Sequence, residues 1–154
     1  MNALAASTAQ GGCRCGQVRL RVSGAPLFTA ACHCRGCQRM SASAFSLSSC
    51  YMSDQVEILS GEPAIGGLHG PTRHYFCPHC FSWMFTRPEG MDEIVNLRTT
   101  MLDEPPQDKP FLETYTSTAL SWVKTGATHS FETFPPVEHY RQLIVEFART
   151  WPTN

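Results

Sequence analysis

Gly11-Gly12-Cys13-Arg14-Cys15-Gly16-Gln17-Val18-Arg19-Leu20-Arg21-Val22 joins two signals in twelve residues. Val18, Leu20 and Val22 alternate with Arg19 and Arg21, which is the period of a half-buried strand. Directly before it stands a C-x-C pair. In an extended segment residues i and i+2 face the same side, so Cys13 and Cys15 can reach one metal ion. Metal and strand therefore begin together, and the remaining cysteines extend the pattern.

Eight cysteines occupy positions 13, 15, 32, 34, 37, 50, 77 and 80. Cys32-His33-Cys34 repeats the C-x-C spacing, Gly36-Cys37 follows, and Cys77-Pro78-His79-Cys80 is a C-x-x-C pair. Such spacing builds tetrahedral thiolate sites, and zinc is the metal it favours. The simplest partition joins Cys13, Cys15, Cys77 and Cys80 into a closed site whose role is folding energy. Cys32, Cys34 and Cys37 then form a second site with three protein ligands and an open position, the arrangement of a catalytic zinc. A sharp turn at Gly36 would fold Cys37 back onto that metal. Spacing leaves other closures open: Cys50 as a fourth thiolate, or His33, His74 or His79. Against these stand a buried structural Cys50 and histidines with ordinary structural roles. A histidine beside the open position, acting as a proton shuttle, is a further alternative.

Outward from the cysteines the chain reads as β-rich. Strands are expected at 17–22, 27–31, 44–51, 56–59, 72–76, 81–86 and 93–98, with a brief helical turn at 38–43. Residues 103–110 form a Pro- and acid-rich loop, and 111–116 and 121–124 are short elements of open type. After Pro135-Pro136 the period changes. Val137, Tyr140, Ile144, Phe147 and Trp151 draw one apolar helical face, suited to packing on its own domain or to a partner, a homodimer included. The expected division is a flexible N-terminus over 1–10, a zinc-binding domain over 11–136 and a helical tail over 137–154.

Composition narrows the function classes. The chain has 154 residues, 42% of them hydrophobic and 16% charged, which is enough for one domain with its own core. Net charge is −1, and no basic-aromatic stripe is present, so nucleic acid is not an expected partner. No apolar stretch approaches the roughly 20 residues of a membrane-spanning helix. The first ten residues lack a basic segment and an apolar core, and free clustered thiols suit a reducing compartment; the expectation is a cytoplasmic protein. There is no Gly-rich phosphate loop and no G-x-S-x-G elbow. Ser41, Ser43, Ser46, Ser48 and Ser49 read as a strand edge rather than as nucleophiles.

Three quoted segments carry a family resemblance: Gly11 to Val18, Cys32 to Cys37, and His74-Tyr75-Phe76-Cys77-Pro78-His79-Cys80. In that order they resemble the glutathione-dependent formaldehyde-activating enzymes and the wider group of centromere protein V-like proteins, from about Gly11 to Pro136. The resemblance implies a mainly β fold, similar to the Mss-four Rab-binding chaperone and the type B methionine sulfoxide reductases: short antiparallel sheets, here with a C-terminal helix. It implies two zinc ions, a structural one on Cys13, Cys15, Cys77 and Cys80 and a labile catalytic one on Cys32, Cys34 and Cys37. It also implies carbon–sulfur lyase chemistry that joins glutathione, or a similar thiol, to formaldehyde or another small carbonyl compound, as in S-(hydroxymethyl)glutathione synthase. Cys34 is the ligand expected to exchange off the metal when the substrate thiol arrives. Arg35, Arg39 and Arg73, nearest the ligands in sequence, are candidates for the substrate's carboxylates or plain surface charges. The chain departs from the family at Phe81 and Ala42, where relatives commonly have Gly, at Cys50, and in its tail after Pro136. Two other readings remain: a non-enzymatic zinc module for protein interaction, and a reductase resembling methionine sulfoxide reductase.

Overall fold

A computed structural model describes residues 7–66 and 70–152. Among the described residues, eleven short strands form two sheets, accompanied by two α-helices. The smaller sheet has the order β1-β2-β5, from β1 (Thr8–Gly12), β2 (Arg19–Ser23) and β5 (Val56–Ser60). The larger contains β3 (Phe28–Cys32), β4 (Ser46–Met52), β6 (Ala64–Ile65), β7 (Arg73–Phe76), β8 (Trp83–Arg87), β9 (Ile94–Arg98), β10 (Leu112–Thr114) and β11 (His129–Ser130). Its order is β11-β10-β3-β4-β9-β8-β7-β6. Pairing is antiparallel except along one edge, where β10 lies parallel to both β3 and β11. The fold is thus mainly β, as the alternating segments predict, with a parallel edge they do not.

Alternation along each strand sends the two faces of the larger sheet to different cores. Leu20 and Val22 of the small sheet meet Tyr51, Met84, Phe85, Val95 and Leu97 in the core between the sheets. Phe28, Ala30 and Leu112 face the other way and pack with Phe111 under α2 (Tyr140–Thr150). Leu143 and Phe147 are the helix residues buried there, while Val137 is 84% exposed. The expected apolar face is corrected at that point. Val137 lies in a 3-10 turn ahead of α2, out of phase with its buried side, and Leu143 takes a core position. The tail helix therefore packs on its own domain.

Thr8–Gln10, expected within the flexible N-terminus, form ladder pairs with Arg21–Ser23; residues 1–6 of that expected segment lie outside the described residues. The first helix, α1, spans Arg35–Ser41, three residues earlier than the expected turn at 38–43. Three non-glycine residues among those described have left-handed backbone: Ala42 at φ 50°, Phe81 at φ 56° and Tyr115 at φ 57°. Ala42 ends α1, its amide donating to the Gln38 carbonyl. Phe81 closes the turn after Cys80, its amide donating to the Cys77 carbonyl at 2.9 Å. An L side chain there opposes the backbone by about 1–2 kcal/mol, which is the physical reason for a glycine at either position.

Candidate metal centres

Two turns of similar build bring the first group together. The Cys13 amide donates to the Val18 carbonyl at 3.0 Å, and the Cys77 amide to the Ser82 carbonyl at 3.1 Å, five residues ahead in both cases. Gly16, at φ 80°, permits the first turn; its amide bonds the Cys13 carbonyl. Cys13 and Cys15 therefore converge through a turn between β1 and β2 and not along a strand, which corrects the geometry the C-x-C spacing predicts. The Arg14 amide bonds Ser82 Oγ at 3.1 Å and ties the two turns together.

The sulfurs of Cys13, Cys15, Cys77 and Cys80 all lie within 4.8 Å of one another. Cys13 and Cys15 are 3.5 Å apart, Cys15 and Cys77 3.8 Å. Four sulfurs at about 2.3 Å from a tetrahedral zinc are separated by about 3.8 Å, so this donor set fits such an ion as it stands. The protons are shared unevenly. The Ser82 hydroxyl brings Cys80 down to about 5. Cys13 is lowered against its own desolvation by the Val18 amide and the sulfurs of Cys15 and Cys77. Cys15 is pushed up to about 12: the Gln17 amide favours its thiolate, but desolvation and the neighbouring sulfurs prevail.

The second group, Cys32, Cys34 and Cys37, also has its sulfurs within 4.8 Å of one another. Cys32 ends β3, Cys34 is the N-cap of α1, and Cys37 lies in the first turn of that helix. Cys34 Sγ accepts the Cys37 amide at 3.3 Å. The helical i, i+3 relation brings these two sulfurs together, in place of the sharp turn expected at Gly36. Cys32 is held down to about 5 by a hydrogen bond from Cys37, and Cys37 is correspondingly raised. Three sulfur donors converge here, a set compatible with zinc.

None of the candidate closers joins either group among the described residues. Cys50 pairs with Phe28 while Cys32 pairs with Ser46, so it sits about 13 Å along the sheet from the second group. It is buried, and desolvation pushes its thiol up to about 12. His33 is buried; its Nε2 lies 2.9 Å from Glu113 Oε2, which also accepts from Thr125 Oγ1 at 2.7 Å. Glu113 is held below the usual carboxylate range: burial raises it, but the hydroxyls of Ser130 and Thr125 and the His33 ring outweigh that. His74 Nδ1 is 2.9 Å from Thr86 Oγ1, and His79 is exposed on its turn. The serines bring no nucleophilic pair: Ser49, for example, bonds Thr99 Oγ1 at 2.9 Å.

The three arginines named from sequence proximity are engaged elsewhere or solvated. Arg35 donates to Gln38 Oε1 at 2.7 Å, Arg39 is exposed, and Arg73 is paired with Asp92. The cation that shares a sheet face with the second group is Arg98, at the end of β9. It is buried, its guanidinium carbon 4.1 Å from the centre of the Trp83 ring. Burial lowers Arg98 to about 10, and the negative charges of Cys37 and Cys32 act in the opposite sense. Arg98 is 61 residues beyond Cys37, so only strand pairing reveals its place beside the group.

Comparison with known proteins follows this geometry. Residues 8–118 match the sequence model of the family described as glutathione-dependent formaldehyde-activating enzyme. A search of curated proteins found no significant match. The crystal structure of a Rhodobacter sphaeroides protein from structural genomics is similar in fold, with a TM-score of 0.53 and 17% identity, over 64% of this chain and 91% of that one. No helix among the described residues is long and apolar enough to cross a membrane.

Proposed function

The chain belongs to the glutathione-dependent formaldehyde-activating enzyme family, and on that premise we propose that its second cysteine group is a catalytic zinc site joining a thiol to formaldehyde or a similar small carbonyl compound. The observation that carries this reading is the inequality of the two groups. One offers four sulfurs and the other three, with Cys50 held too far away to complete the second. Cys13, Cys15, Cys77 and Cys80 would hold a structural ion, and Cys32, Cys34 and Cys37 a catalytic one. A bound zinc would supply a Lewis-acidic position at which a thiol loses its proton near neutral pH.

The remaining work falls to the chain. Cys32, Cys34 and Cys37 hold the centre from a strand end and a helix start. Hydrogen bonds from the His33 amide to the Thr114 carbonyl at 3.0 Å and from Thr118 Oγ1 to the His33 carbonyl at 3.0 Å fix the segment between the first two ligands. In the reaction the thiolate sulfur adds to the carbonyl carbon, the carbon–oxygen π pair moves to oxygen, and that oxygen takes a proton. The product is an S-hydroxymethyl thioether when the carbonyl compound is formaldehyde. Because this addition also runs uncatalysed, the site's contribution is to hold thiol and carbonyl compound together with the thiol already ionised.

The test is the rate of exchange between glutathione, formaldehyde and their adduct at equilibrium, followed by NMR for the zinc-loaded protein, for Cys34→Ala and for buffer. Acceleration that Cys34→Ala loses while retaining the first-group metal supports the reading. Equal rates with and without protein would refute it for this thiol and carbonyl pair. Neither a binding module closed by Cys50 nor a reductase is favoured by any contact in the site.

A further inference from the structure

Four buried side-chain polar atoms in the described residues have no hydrogen-bond partner in the protein: His33 Nδ1, Ser46 Oγ, Trp83 Nε1 and Arg98 Nε. Buried polar groups are nearly always paired, so their distribution matters. Two of them, on Ser46 and Arg98, belong to residues on the sheet face that carries Cys32; the Trp83 ring lies against the Arg98 guanidinium, and His33 is the residue between Cys32 and Cys34. Ser46 is directly opposite Cys32 in the β3–β4 ladder, and its hydroxyl faces the Cys37 sulfur without a hydrogen bond of normal geometry. Arg98 is opposite Ser48, two residues further along β4, and therefore on the same face as Ser46 and Cys32. Trp83 covers the Arg98 guanidinium.

The lattice spacing of a sheet places the Arg98 backbone about 10 Å across and about 7 Å along from that of Cys32, a gap that an arginine side chain and a small ligand bridge together. Its charge has no carboxylate partner among the described residues; the protein contact of its fork is Nη2 donating to the Asn96 carbonyl at 3.0 Å. A buried guanidinium with free donors is costly unless an anion completes it.

Taking the second group as a metal centre with an open position, as proposed above, we propose that Arg98 is the residue that recognises a carboxylate on the substrate thiol. The site is then selective for acidic thiols. The sulfur goes to the open position and the carboxylate to the guanidinium fork, with Trp83 fixing the plane of the fork.

The experiment uses protein reconstituted with cobalt(II), whose absorption bands report a thiolate joining the second centre, because the first is already saturated by four cysteines. It is titrated with mercaptoacetate, methyl mercaptoacetate and 2-mercaptoethanol. The expected result is that mercaptoacetate binds roughly ten- to a hundredfold more tightly than its methyl ester. The ester's thiol is the more acidic, so thiol ionisation alone would favour the ester. In Arg98→Met, which keeps a long unbranched apolar side chain, the preference should vanish while 2-mercaptoethanol binding changes by less than threefold. Arg98→Lys should retain an intermediate preference. Equal affinity of the wild-type protein for acid and ester, which needs no variant to fold, would overturn the role of Arg98. So would a loss in Arg98→Met shared equally by all three thiols, since that marks a merely electrostatic or structural effect. If no thiol changes the spectrum, the open position itself is refuted, and this proposal with it.

Discussion

The two cysteine groups are built from the same ligand type but by opposite constructions. The first collects Cys13 and Cys15 from one sheet and Cys77 and Cys80 from the other, 62 residues separating Cys15 from Cys77. Two of its four cysteines, Cys13 and Cys77, are part of the core between the sheets. The second takes all its cysteines from six consecutive residues, and all three are half-buried. A metal in the first closes a long loop and joins two layers, whereas a metal in the second constrains only a strand end and one turn of helix. A site's contribution to folding follows the chain entropy it removes, so identical donors are suited to different work.

The largest test of this contrast is a pair of substitutions. Cys77→Ser removes a fully buried ligand of the first group and should abolish cooperative folding, because structural zinc in small domains supplies about 10 kcal/mol, comparable to the whole stability of a domain. Cys37→Ser should instead leave a folded protein with one metal ion fewer, measured by thermal unfolding together with metal analysis. Unfolding of Cys37→Ser to the same degree would break the comparison.

Next in size is Phe147→Ala, which empties a core position under α2, on the face of the large sheet turned away from the first group. A loss of about 3–5 kcal/mol in denaturant unfolding, with both metals retained, is expected. Val137→Ala should change stability by less than about 0.5 kcal/mol, given its exposure.

Cys50 sharpens the contrast from the side of pH. Its folded thiol ionises at about 12, and an unfolded one near 8.5. Between those values the unfolded chain releases a proton that the folded chain keeps, so stability falls as pH rises, by about 1.4 kcal/mol per unit. The difference in unfolding free energy between wild type and Cys50→Ala should shrink or reverse over that window. Metal content of the variant at neutral pH should be unchanged; loss of one ion would make Cys50 a ligand after all.

The smallest effect comes from two of the left-handed residues, Phe81 beside the first group and Ala42 beside the second. Phe81→Gly in the turn of the first and Ala42→Gly at the helix end of the second should each stabilise by up to about 1 kcal/mol, the relief of an L side chain exceeding the entropy cost of glycine. Destabilisation at either position would mean that its side chain contributes more than its backbone costs.

Much of this was legible in the chain itself. Both cysteine groups were readable as clusters because cysteine spacing is a local property that survives without knowledge of the fold. The strand at Val18-Leu20-Val22 and the terminal helix were visible because burial on one face imposes a period of two or of nearly four. Local geometry inside the motifs was less legible. Cys13-x-Cys15 bends as a turn and Cys34 to Cys37 as a helix, because hydrogen bonds to Val18 and within α1 decide the backbone, and spacing does not report them. The phase of the tail helix was misplaced at Val137 for a similar reason: a 3-10 turn shifts the angular position of every residue before it.

The sequence by itself thus determined which cysteines cluster as candidate metal ligands and that the chain is mainly β. Tertiary structure decided three further matters. Cys50 is excluded from the second group by the β3–β4 register. His33 is turned to Glu113 across β10 rather than toward the sulfurs. Arg98, 61 residues beyond Cys37, is set on the face of Cys32. Each of these depends on which strand lies beside which and in what register, a long-range choice made by burying both faces of the large sheet at once.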